Sequence, residues 1–362
     1  MRHQRGRVVE VESLSEWDAR LRAGARSLAG WHVQGLDLRE RSDRLAQVDV
    51  AGALFLGCTF AEGMEDEARR RGAVVFPALP GVPVDTYRTR LYSPEELYDG
   101  LDGVGYDATM DARAYAWSRQ PADPDLALAR ALHDHAIDQA LIEWVDDRHI
   151  VGVMGGHSLD RGSPGHRDAV ELGQSLGRRF TVATGGGPGA MEAANLGAWL
   201  APYDDSAIDQ ALDLLTRVPS FRPDIGRWAR AGFAVRDRFP EGGESLGVPT
   251  WFYGHEPPNV FATAIAKYFA NALREAKLLQ ICSAGIVFLP GAAGTVQEVF
   301  QDACENYYAD ESSVAPMVLV GREHWTETLP AWPLLQALAR ERVMEDRVHL
   351  VDSLDEVADL LA

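Results

Sequence analysis

Short apolar runs alternate with amphipathic stretches along the C-terminal part of the chain. Ile150–Met154, Phe180–Ala183, Thr250–Tyr253, Ile286–Leu289, Met317–Val320 and Val348–Val351 read as strands buried on both faces. Between them lie helical patterns: Ser163-Pro164 to Gly177, a stretch through Ala198, Ser206–Arg217, Phe261–Ile281, a helix near Pro333–Arg342, and Ser353–Leu361. Strands that alternate with helices predict a doubly wound parallel sheet covered on both faces. The segment 201–247 is the least regular, rich in Arg, Gly and Pro after its first helix, and reads as a lid or an interface.

The N-terminal pattern predicts a smaller α/β module. Val8–Val11 reads as a strand and Ser13–Ala29 as a helix with Ser13 as cap and Glu16 as its partner. Ala53–Leu56 and Ala73–Phe76 read as further strands flanking a helix at Glu65–Arg71. Pro77–Pro83, with its three prolines and Gly81, is a turn or linker. From Ser93 to Arg148 the signal is helical: Ser93-Pro94-Glu95-Glu96 is a helix start, and Asp125–Val145 is long and alanine-rich. These boundaries divide the chain into a module at 1–90, a helical connector at 91–148 and a Rossmann-like catalytic domain at 149–362.

Composition narrows the function classes. A formal charge of −19 argues against a nucleic-acid polymer or an anionic membrane as partner, so any bound anion must be held locally. No apolar run approaches the roughly 18 residues of a membrane span. The basic start, Met1–Arg7, is followed by Val8-Val9-Glu10-Val11-Glu12, which places charges where a signal peptide needs apolar residues and predicts a cytoplasmic protein. Cys58, Cys282 and Cys304 suggest no disulfide framework or metal site, and the last two read as small core residues. His133 and His135, two apart on a helix, point in different directions and read as surface residues rather than ligands.

The chemistry concentrates where strands end. Gly285 to Glu298 reads G-I-V-F-L-P-G-A-A-G-T-V-Q-E: a buried strand, a turn eased by Gly291 and Gly294, then a helix opened by Thr295. That order gathers unpaired amides and the positive end of a helix dipole in one place, which suits phosphate. Glu298 follows one helical turn later, where its carboxylate can reach the same ligand. Two more strands end in such loops, Gly155-Gly156-His157-Ser158 and Thr184-Gly185-Gly186-Gly187-Pro188-Gly189-Ala190-Met191-Glu192. In an open parallel sheet all three emerge on the carboxyl edge, where ligands bind. Gly185, Gly187 and Ala190 fit a dinucleotide G-x-G-x-x-A, but they follow the second strand, and no strand leads to Asp204 and Asp205. Pyridoxal phosphate would need Lys267 or Lys277, the chain's only lysines.

Gly155-Gly156-His157-Ser158, Thr184 to Glu192, Glu256-Pro257-Pro258-Asn259 and Leu289 to Glu298 together resemble the LOG (Lonely Guy) family of nucleoside 5′-monophosphate phosphoribohydrolases, and most closely its longer bacterial members, the pyrimidine/purine 5′-nucleotide nucleosidases. The likeness covers about residues 148–320. The family pattern P-G-G-x-G-T-x-x-E is met at Pro290, Gly291, Gly294, Thr295 and Glu298, and departs at Ala292, which predicts either a tighter turn or a phosphate held less closely. The resemblance implies a Rossmann-like fold, hydrolysis of the N-glycosidic bond to free base and ribose 5-phosphate, no metal or redox cofactor, and a homo-oligomer. It also implies Glu298 and an arginine of the preceding helix as catalytic residues. Arg274 lies in that helix, although an ungapped register puts Glu275 in the arginine's place, with Arg222 and Arg227 as alternatives. Phosphate is expected near Thr295 and at Gly186, Gly187, Pro188 and Gly189, with His157, Ser158 and Met191 lining the pocket and Asn259 touching base or ribose. A non-catalytic nucleotide or phospho-ligand sensor is the alternative class.

Overall fold

The computed structural model describes residues 9–79, 81–121, 124–252 and 256–361. The chain falls into two compact units, Met1–Thr89 with Asp123–Ala136, and Arg90–Ala122 with Ile137–Ala362.

In the first unit, strands β1 (Val9–Val11), β2 (Trp31–Gln34), β3 (Leu54–Leu56) and β4 (Val74–Phe76) form a parallel sheet in sequential order. Helices α1 (Leu14–Arg22), α2 (Ser42–Gln47) and α3 (Met64–Arg70) connect them. Val11, Val33, Phe55 and Val75 form a row across the sheet that packs with Trp17, Leu28 and Leu45, and Trp31 on β2 joins the same core. The expected helix Ser13–Ala29 is capped by Ser13, whose hydroxyl accepts from the Glu16 amide, but it stops at Arg22. Gly24, at φ +100, turns the chain, and the residues beyond it feed β2, a strand that the hydrophobic pattern did not disclose. His133, expected at the surface, is fully buried in this unit beside Asp134.

The second unit begins with α4 (Pro94–Leu97), capped by Ser93, and α5 (Met110–Ser118); the long helix α6 (Pro124–Val145) contributes its later residues here. The large sheet contains β5 (Ile150–Met154), β6 (Thr181–Thr184), β7 (Ser245–Gly247), β8 (Ala264–Ile265), β9 (Ile286–Phe288), β10 (Met317–Val320) and β11 (Val348–Val351). Their spatial order is β11-β10-β9-β5-β6-β7-β8, with every pair parallel. Helices α7 (Pro164–Gly177), α8 (Ala190–Trp199), α9 (Ser206–Leu215), α10 (Ile225–Arg238), α11 (Asn271–Gln280), α12 (Ala293–Tyr308), α13 (Ala331–Ala339) and α14 (Val357–Leu360) link and flank the strands. This is a doubly wound, Rossmann-like α/β fold. From β5 the chain builds outward through β6, β7 and β8, then returns to place β9 on β5's other side. The order of winding reverses between β5 and β9, and at such a switch point the loops leaving two adjacent strands diverge and open a crevice.

Further expectations are corrected. Thr250–Tyr253 is not a strand: the strand precedes it at Ser245–Gly247, and Thr250 makes only an isolated bridge to Tyr268, while Tyr253 lies outside the described residues. Phe261–Ile281 is not one helix, because the buried run around Ala264–Ile265 pairs as an extended edge strand and the helix begins at Asn271. The segment 201–247 is largely regular, holding α9, α10 and β7. Cys282 is buried as expected, whereas Cys304 is exposed. Among the described residues no helix is long and apolar enough to cross a membrane.

Candidate active site

A cleft of about 500 Å3 opens at the carboxyl edge of the large sheet, over the switch point. Backbone bonds hold its floor. Leu289 donates to the carbonyl of Met154 (2.8 Å), Gly156 to that of Pro290 (3.3 Å), and Ala190 to that of Gly156 (3.0 Å). The loops after β5, β6 and β9 are therefore stitched into one surface. Gly155, Gly156, His157 and Ser158 line it from β5, Gly187 and Met191 from β6, and Gly291, Ala292, Gly294 and Thr295 from β9.

The α12 N-terminus has no side-chain cap, so its first-turn amides are left for a ligand. Gly291 is needed there because a Cβ would collide with the Thr295 side chain. Ala292, the residue before the helix, has a negative φ of −116, so the turn does not call for a glycine's left-handed conformation at that position. The helix begins at Ala293 rather than at Thr295.

Glu298 reaches the cleft from α12 with 9% exposure. Burial pushes its carboxyl up from 4.5 to about 7 against the opposing pull of the Arg274 guanidinium, and Glu275 adds to the rise. Arg274 and Glu275, consecutive on α11, both line the cleft. Arg274 donates from Nε to the Val248 carbonyl (2.7 Å), and its Nη1 lies 2.7 Å from Glu275 Oε1 and 3.8 Å from Glu298 Oε1. Its guanidinium passes where a Cβ on residue 185 would stand, 2.6 Å from Nη2, which explains a glycine at that position. The arginine thus sits between two carboxylates. Of the alternatives, Arg222 belongs to an adjoining cavity and Arg227 is exposed on α10.

Several residues assigned to ligand contact lie elsewhere. Asn259 is fully buried behind the β6 loop, where Nδ2 donates to Gly187 O (3.2 Å) and Asn195 Oδ1 (2.9 Å), and Oδ1 accepts from the amides of Phe261 and Ala262. Every polar atom of its amide is used in bracing that loop, so it makes no ligand contact. Gly186 is also behind the surface, its amide bonded to Thr184 Oγ1 and its carbonyl to the Asn259 amide. Pro188 and Gly189 line a second cavity of about 240 Å3, which shares His157, Ser158 and Leu159 with the cleft. Gly189, at φ +75, brings the start of α8 against the His157 backbone, where no Cβ fits.

The cleft also holds Pro249, Thr250 and His324, to which the sequence pattern gave no part in the site, and Gly185, Glu256 and Glu275, which it named within motifs without a ligand contact. His324 was findable, since it follows β10 and carboxyl-end loops converge here. Thr250 and Pro249 are positioned by an anchor far away in sequence. Trp251 stacks on Phe269 (ring centroids 4.6 Å) and donates its indole N–H to Asp111 Oδ1 (2.8 Å). Asp111 also receives Lys267 Nζ (2.6 Å) and the Tyr106 hydroxyl (2.6 Å). Lys267 is thus buried in an ion pair and Lys277 pairs with Asp138 (3.0 Å), and neither lines the cleft. A Schiff base to pyridoxal phosphate has no lysine there.

The class these features define is a Rossmann-like α/β protein with an anion-suited cleft that holds one guanidinium between two carboxylates. No family model and no curated protein matches the chain. Among solved structures, the molybdenum cofactor binding protein from the phototrophic bacterium Rippkaea orientalis is 17% identical over 59% of this chain and 95% of that one, with a TM-score of 0.37. The Moco carrier protein from Chlamydomonas reinhardtii is 19% identical over 59% and 98%, with a TM-score of 0.34.

Proposed function

We propose that the protein is a nucleoside 5′-monophosphate nucleosidase that hydrolyses the N-glycosidic bond to free base and ribose 5-phosphate. The observation that carries this reading is Glu298: a buried carboxylate, raised to about 7, one turn into a helix whose uncapped N-terminus faces the same cleft. The 5′-phosphate rests on the amides at the start of α12, which fixes the ribose so that binding away from the reacting bond positions it. As the C–N bond lengthens, positive charge grows on the sugar. Ionised Glu298 stabilises that charge and accepts a proton from the water that attacks the anomeric carbon, while the base leaves with its bonding pair and takes up a proton. Arg274 holds Glu298 in place and lowers the cost of its ionisation.

Chromatography of a panel of nucleoside monophosphates, wild type beside Glu298→Gln, tests the reading. Expected are free base and ribose 5-phosphate in equal amounts from the wild type, and at least about a 100-fold loss in the variant, the usual range for general acid–base groups. Nucleotide binding without base release from any member of the panel would instead identify a phospho-ligand sensor.

A further inference from the structure

The proposed chemistry leaves Glu275 without a role. Its side chain is buried, with 8% exposure, and lines the cleft beside Glu298. One oxygen, Oε1, is held by Arg274 Nη1 at 2.7 Å and by Asn271 Nδ2 at 3.4 Å. The other, Oε2, is shielded from water and has no hydrogen-bond partner. An ionisable acceptor left unsatisfied in a protein interior is a standing cost, and in a binding cleft the group that relieves it is a donor on the ligand. The terminal torsion of a glutamate is broad, so the carboxylate is free to reorient toward a donor that enters the cleft.

Position decides which donor. Glu275 and Glu298 share one guanidinium nitrogen, so their near oxygens stand no farther apart than a sugar ring and its substituents. With Glu298 at the anomeric carbon, the donor nearest to it on a nucleotide is the hydroxyl of the adjacent carbon. We infer that Glu275 is a specificity-determining residue that accepts a hydrogen bond from the ribose 2′-hydroxyl, so that the cleft selects ribonucleotides over 2′-deoxyribonucleotides. A site built around a hydroxyl rejects the analogue that lacks it, because the buried acceptor is then left unpaired. This inference rests on the nucleosidase reading for the placement of the sugar.

The test compares kcat/KM for matched ribo- and 2′-deoxyribonucleoside monophosphates in the wild type, Glu275→Gln and Glu275→Leu, alongside calorimetric binding of ribose 5-phosphate and 2-deoxyribose 5-phosphate. The wild type is expected to prefer the ribo form by roughly 10- to 100-fold, the range of a hydrogen bond to a charged acceptor, with the ratio falling toward unity in both variants. Turnover with the same ratio in all three proteins overturns the Glu275 assignment and leaves the nucleosidase reading standing. No turnover, but a Glu275-dependent preference for ribose 5-phosphate in binding, sustains the assignment and sinks the nucleosidase. A variant effect that follows amino groups on the base, with the ribo/deoxy ratio unchanged, also overturns it.

Discussion

At the scale of single residues, the cleft trades stability for chemistry. Glu298 ionises at about 7 in the fold against 4.5 ordinarily, so the folded state holds its proton more tightly than the unfolded chain does. The favourable contribution is complete below about pH 4.5 and is lost as pH rises through 7. A shift of this size corresponds to a penalty of about 3 kcal/mol once the group is charged. Asp302, one turn further along α12, is pushed up to about 8 by burial, with Glu305 adding to the rise, and its Oδ2 has no partner. Glu298→Gln and Asp302→Asn are therefore expected to raise the Tm by several degrees at pH 8.5 and by much less at pH 5. Melting curves at the two pH values check this; equal shifts at both would contradict the burial argument. The place of Glu298 in the cleft was legible from the strand–turn–helix spacing around it. Glu275 was not, because nothing in the sequence tells which of two adjacent polar residues on α11 turns inward, and the structure buries both.

Among the elements, the walls of the cleft were harder to read than its floor. The floor comes from loops after β5, β6 and β9, whose apolar runs and glycines mark both strand and turn. At the wall formed by Pro249 and Thr250, the sequence predicts a strand over Thr250–Tyr253 because Thr250, Trp251 and Phe252 favour extended structure, whereas Trp251 serves as an aromatic anchor to Asp111. Likewise the start of Phe261–Ile281 is a short, mostly apolar stretch that fits either a helix or an edge strand, and only pairing with β7 decides for β8. The anchor itself is a buried ion pair: Lys267 is fully buried, and burial pulls its ammonium below the ordinary lysine range against the opposing effect of Asp111. Asp111→Ala leaves that charge uncompensated and should cost about 3–5 kcal/mol in urea denaturation. Asp111→Leu combined with Lys267→Met removes both charges and should cost distinctly less than the single change. Equal costs would show that the pair is not what holds this wall.

For the molecule as a whole, charge works against the ligand it is proposed to bind. The chain carries a formal −19, and the cleft sets Arg274 among Glu256, Glu275 and Glu298. Attraction for a phosphate therefore comes from short-range amides and one guanidinium, while the long-range field repels it. Added salt should raise the association rate constant of a nucleoside monophosphate, the reverse of a site that steers anions in, and stopped-flow binding at two ionic strengths reads the sign. The parallel, doubly wound architecture was legible from alternating strand and helix patterns, since those register local burial. The two-sided arrangement about β5 and β9 was not, because strand order depends on contacts between segments far apart in sequence.

The most direct measurement is the pH dependence of kcat/KM for base release, for the wild type and Glu298→Gln. Because the ionised carboxylate is the working form, kcat/KM should climb about tenfold per pH unit below an apparent pKa near 7 and level off above it, and the variant should lose both the rate and the inflection. A wild-type rate that is flat across this range, or one that Glu298→Gln leaves intact, would contradict the account.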